Sequence, residues 1–248
     1  FGRYSADRLF EQHVQWKSGN LTDINLLVLA ARQGDEGGAF DNVTRPFEDE
    51  NVPNVLVFEL APDATQIIAT VQNVIAQGGQ LRAVVLSGHG DVATGIPDLG
   101  IDAKASELGT LSTQLRLLSP RQRPVVILDS CLTGADNGVG YSLAQQISRV
   151  VTNTEVIAPD KVIFSTDIDD GAIKFDNKSR RTGKHVLHKL EWEKNEETGE
   201  LEPVFTEIHT ALKGSLVRAD AKAFLNSELI STPGTGHTPS RVITSMVP

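Results

Sequence analysis

Two stretches, "VVLSGHGD" (Val84–Asp91) and "VVILDSC" (Val125–Cys131), share one design: a run of aliphatic residues that breaks off into small and polar ones. Each run is too short for an ordinary helix and is apolar on both faces. That is the pattern of a strand inside a mostly parallel sheet covered on both sides. The first run delivers His89 between Gly88 and Gly90, and the second delivers Cys131, the only cysteine of the chain. In open α/β sheets the loops at the carboxyl ends of the strands gather the chemistry. Both side chains therefore fall where a site is expected.

Working outward, Asn25–Ala31 and Val55–Leu60 read as two further core strands, separated by the polar, glycine-bearing stretch 32–54. Pro62 and Asp63 open an amphipathic helix over Ala64–Gln77. Its Ile67, Ile68, Val71, Val74 and Ile75 recur at helical spacing before Gly78-Gly79 closes it. The strand Ala83–Ser87 leads into the loop "DVATGIPDLGID", and a helix is predicted over Ser106–Leu118 with Ser106 as N-cap. Pro124 precedes the strand Val125–Ser130. A helix follows over about Tyr141–Val151, then a strand over Lys161–Ser165. Strands alternating with helices give an α/β fold with a mostly parallel central sheet flanked by helices.

Three regions are expected: a core over residues 1–166, a charged continuation of the same domain over 167–230 with a hairpin near Glu196–Leu201 and a helix, and an irregular tail over 231–248. With 248 residues and 40% hydrophobic content, the chain can bury a substantial core. A formal charge of −9 disfavours a surface built to neutralise phosphates, so no nucleic-acid partner is expected. No stretch has the roughly 20 apolar residues of a membrane span, and no secretory-signal layout opens the chain. The expectation is a soluble protein, cytoplasmic or a secreted effector. Starting at Phe1 and not Met, it reads as a processed product or a piece of something longer. One cysteine permits no internal disulfide. His185, His188, His209 and His237 show no HExxH spacing, so neither a metal nor another cofactor is expected.

A thiolate attacks a carbonyl well only when something takes its proton, and an imidazole does so while later protonating the leaving amine. His89 and Cys131 on adjacent strand ends would meet that need. Gly90 lets the main chain approach closely, and its N–H would join that of Cys131 as an oxyanion hole. Ser130 is a poor rival nucleophile, because no Gly-x-Ser-x-Gly elbow surrounds it.

"SGHG" (Ser87–Gly90) after a hydrophobic strand, and "ILDSC" (Ile127–Cys131) followed by Thr133-Gly134, resemble the blocks of clan CD cysteine peptidases, most closely the metacaspase and clostripain-type group. The resemblance covers about residues 24–166. It implies the caspase-like three-layer sandwich, Cys131 as nucleophile and His89 as base and acid. Leu132 stands where metacaspases have His, and Thr133 where they have Ser. By the same resemblance Ser87 and Asp129 line a pocket for a basic P1 side chain, to which Asp102 would add negative charge. Arg32, after the first strand, points the other way, toward the arginine that holds a substrate Asp in true caspases. Asp129 pairing structurally with Arg32 is the alternative. The expected partner is a protein or peptide substrate, with self-processing near Arg180-Arg181 and the lysine-bearing segment through Lys194 as a further expectation. Two other classes stand beside the peptidase: a catalytically silent caspase-like domain that binds a protein through the same cleft, and an α/β binding protein in which His89 and Cys131 never meet.

Overall fold

Asp23–Ala31 forms β1, whose residues from Ile24 onward are all buried, in a computed structural model that describes residues 2–31, 53–102, 124–136, 141–151, 154–161, 163, 165–169, 172–176, 187–194, 201–208, 221–225 and 228–229. β2 (Val55–Leu60), β3 (Gln80–Ser87), β4 (Val125–Asp129) and β5 (Val156–Pro159) join β1 in parallel, in the order β5-β4-β3-β1-β2. The protein is thus of the α/β kind. The strand order reverses between β1 and β3, and such a switch point opens a crevice at the carboxyl ends of the strands.

The fifth parallel strand corrects the expectation of a strand over Lys161–Ser165. "VIAP" (Val156–Pro159) takes that place, its first three side chains fully buried and Val156 and Ile157 in register with Val126 and Ile127. The chain leaves the sheet after Pro159, which has no N–H to donate to a ladder. Ser165 then begins β6 (Ser165–Asp169), which pairs with β7 (Ala172–Asp176) as a separate antiparallel hairpin.

β8 (Leu187–Lys194) and β9 (Leu201–Ile208) make a second antiparallel pair, flanking the expected hairpin turn. β10 (Ala221–Leu225) returns to the main sheet, antiparallel to β5, with β11 (Glu228–Leu229) outside it. Of the described strands in 167–230, β10 and β11 thus share a sheet with the core. The helix expected in that segment, the helix over Ser106–Leu118 and the tail 231–248 lie outside the described residues.

Three helices are described. α1 (Gly2–Lys17) lies at the β2 edge, where Gln12 accepts the N–H of Val55 through Oε1 and Trp16 is buried with Leu56 and Phe58. No helix was expected there, and Phe10 and Val14 stay exposed. α2 (Ala64–Ala76) is capped by Asp63, whose carboxylate accepts the Thr65 N–H at 2.9 Å and is held below the usual carboxylate range by the Thr65 hydroxyl and N–H. α3 (Leu143–Val150) is capped by Ser142. Ile67, Val71 and Val74 of α2 and Leu143, Ala144 and Ile147 of α3 cover one sheet face, with Leu27, Leu29, Val84, Leu86, Val126 and Leu128 beneath. The opposite face, formed by Leu26, Val28, Ala83, Val85, Val125 and Ile127, is equally buried, with Leu9 and Ile163 packed against it. No helix among the described residues is long and apolar enough to cross a membrane.

Candidate active site

β3 and β4 pair with a constant offset, from Ala83↔Val125 through Ser87↔Asp129, a separation of 42 residues. Extending that register two residues sets His89 opposite Cys131. The loops do stay together past the strand ends: Gly88 N–H reaches the Asp129 carbonyl at 3.4 Å, and Gly90 packs directly on the Ser130–Cys131 peptide. A Cβ on Gly90 would fall 2.6 Å from the Cys131 nitrogen and 2.8 Å from the Ser130 carbonyl carbon. No side chain fits there, which is why the position needs glycine.

The His89 side chain is exposed, and its main chain is fixed by an interaction the sequence did not reveal. Asp98 accepts the His89 N–H at 2.8 Å through Oδ2. Asp98 sits in a short 3₁₀ turn (Pro97–Leu99) inside the loop 91–102, itself ordered by bridges Asp91↔Gly95 and Ile96↔Ile101 and by the buried Ile96, Leu99 and Ile101. Gly88 fits against Ile96 and Asp98 within that loop. Polar residues mark this stretch as a plain connection; its four buried aliphatics, Val92 among them, make it a folded support.

Ser87 and Asp129 are brought together. The fully buried Ser87 hydroxyl donates to Asp129 Oδ2 at 2.7 Å, and both side chains project from the sheet face that carries Val85 and Ile127. Asp102 follows Ile101 at the end of a loop docked on the opening turn of α2, where Gly100 approaches the Ala64 nitrogen, and its neighbours belong to the core on the α2 side. Arg32 lies outside the described residues. Ser130 is buried to 1% exposure.

Cys131 sits in a small apolar nest with Val92, Leu132 and Ala135. Its thiol donates toward the Ile163 carbonyl at 3.5 Å, and the Ile163 N–H donates back to Sγ at 3.3 Å. Burial pushes the thiol pKa up to about 11, with the Asp129 charge adding in the same direction and the Ile163 N–H opposing. Ile163 was missed for a plain reason: 32 residues separate it from Cys131, and an aliphatic residue acting through its main chain leaves no mark in sequence. Leu132 adopts φ 61°, a left-handed conformation that costs an ordinary residue roughly 1–2 kcal/mol. Its buried side chain and the bond from its N–H to the Lys161 carbonyl at 3.1 Å hold it there.

Among the described residues no group of three or more His, Cys, Asp or Glu side chains is placed to hold a metal ion. The chain matches no family model, no curated protein and no solved structure. Fold and site together define an α/β protein whose central parallel strands present a histidine loop and a cysteine side by side.

Proposed function

We propose that this chain is a cysteine endopeptidase of the caspase-like type, working through Cys131 and His89. The observation that carries the reading is the seating of Gly90 on the Ser130–Cys131 peptide, because it joins the histidine loop to the cysteine at the carboxyl ends of neighbouring strands. In the reaction, the imidazole of His89 accepts the Cys131 proton and the sulfur attacks the scissile carbonyl carbon. The oxyanion forms within reach of the Gly90 and Cys131 N–H groups. Collapse breaks the C–N bond as His89 returns the proton to the leaving amine, and water then releases the acyl group from sulfur.

A basic P1 side chain is the preferred substrate feature. Asp129 is partly exposed and already oriented by Ser87, so a cationic side chain would meet a fixed carboxylate oxygen. Asp102 would add negative charge to that site from the end of a loop whose Leu99 and Ile101 belong to the core on the α2 side, and Arg32 belongs to the competing preference, for a substrate Asp. Self-cleavage is best sought at Arg180-Arg181. Lys189 and Lys194 lie within β8, whose ladder to β9 withholds the main chain from a protease cleft.

The test is digestion of a diverse peptide library by the native protein, by Cys131→Ala and by His89→Ala, read by mass spectrometry. Cleavage after Arg or Lys by the native chain, abolished in both variants, is the expected result. Cleavage that survives Cys131→Ala overturns the assignment, and cleavage after Asp overturns the P1 preference. One observation favours a second reading, a silent caspase-like domain that binds a protein partner: the thiol is bonded to a main-chain peptide and its pKa stands near 11. Silence from all three proteins across the library would favour it.

A further inference from the structure

The thiol of Cys131 is covered by main chain from beyond β5, and that covering is fastened at successive points. The Pro159 carbonyl accepts the Gly134 N–H at 2.7 Å, and the Lys161 carbonyl accepts the Leu132 N–H at 3.1 Å. Asp160 pairs with Lys222 of β10 at 3.5 Å, both side chains largely shielded. Ile163 then bonds Sγ through both its N–H and its carbonyl while packing against the sheet face of Val85 and Ile127. Three of these contacts join the chain at and after Cys131 to the end of β5 and the segment beyond it, and the Asp160–Lys222 pair joins that segment to β10. The Ile163 peptide thus occupies one side of the sulfur, with a polar contact to Sγ from each of its two groups.

We propose that Asp160, Lys161 and Ile163 form an inhibitory strap that holds Cys131 as a bonded thiol and slows its reaction until it lifts. The contact itself is independent of catalysis, but its meaning as regulation rests on the peptidase reading above. Lifting the strap removes the Ile163 carbonyl as the resting acceptor of the thiol proton and opens the sulfur to water, leaving the proton for His89. Asp129 remains the charged neighbour of the sulfur in either position, so the change comes from uncovering and not from a new charge. Lys222 ties the strap to β10, so a partner that engages this strand would have a direct hold on it.

The test is the rate of iodoacetamide alkylation at pH 8, in which the thiolate displaces iodide and the thiol proton passes to water. Cys131 is the only thiol, so the mass shift reports this site alone. The native protein should react at least about tenfold more slowly than free cysteine, since less thiolate is available at a buried, bonded thiol. Ile163→Ser, which removes the apolar anchor, should restore about tenfold or more of that rate. Lys222→Ala, which removes the Asp160–Lys222 pair, should raise it severalfold and decides the matter if Ile163→Ser does not fold. A native rate equal to that of free cysteine overturns the strap, as does an unchanged rate in a folded Lys222→Ala protein. Faster alkylation with no peptide cleavage in any form keeps the strap and removes the peptidase. Peptide cleavage at one unchanged rate in native and strap variants keeps the peptidase and removes the strap.

Discussion

Gly90 is the residue on which the site turns. Its main chain lies where a methyl group would strike the Ser130–Cys131 peptide, so Gly90→Ala must push the histidine loop off the cysteine. Overpacking of this kind costs about 1–3 kcal/mol, to be read in a urea titration, and on the proposed peptidase reading peptide cleavage should fall with it. Unchanged stability together with full cleavage would show that the two loops do not need this contact. At the same scale, His89, Gly90 and Cys131 were legible in sequence because small residues interrupt aliphatic runs at their sites. Asp98 and Ile163 were not. An aspartate among "GIPDLGID" looks like any turn residue, and only the folding back of loop 91–102 brings its carboxylate to the His89 N–H.

At the scale of elements, β1 to β4 and α2 follow their patterns closely: aliphatic runs broken by Gly, Pro and Asp, and a cap at Asp63 where the helical spacing begins. α1 was not expected, and among its described side chains an aromatic cluster anchors it. There His13 lies between Trp16 and Phe58, ring centroids 5.1 and 5.0 Å away. Burial, and secondarily Lys17, lowers the His13 pKa below 6.5. A depressed folded-state pKa means that the unfolded chain takes up the proton first as acid is added. The contribution is whole above pH ~6.5 and declines as the pH falls toward the lowered folded value. Replacing His13 with Phe should therefore shrink the drop in melting temperature between pH 7.5 and 5.5. A drop equal to that of the native chain would mean that α1 is not anchored through this ring cluster.

For the whole molecule, the decisive fact is that β10, more than 50 residues beyond β5 in sequence, pairs with it and closes that side of the parallel sheet. A chain cut at residue 166 would expose the β5 edge, with unpaired N–H and carbonyl groups that invite association, and would lose the Lys222–Asp160 pair. Expressed beside the full chain, the fragment 1–166 is expected to melt at least about 5 °C lower and to associate on sizing. A monomeric fragment with the native melting temperature would show that the parallel strands are self-sufficient. Such a result would also separate the strap from its tether.

The sequence by itself determined the α/β class, the central strands and the two endings that carry histidine and cysteine. Those features are local: a buried parallel strand must be aliphatic along its whole length, and its end must be marked by residues that turn or clear space. Only the tertiary structure decided which strand stands fifth, which loop supports His89 and which peptide covers the thiol. Val156–Pro159 and Lys161–Ser165 are both short segments with aliphatic character, and burial against Val126 and Ile127 chose between them. Contacts made by main-chain atoms over long separations, as Ile163 makes with Cys131, carry no side-chain signature, because every residue offers the same N–H and carbonyl.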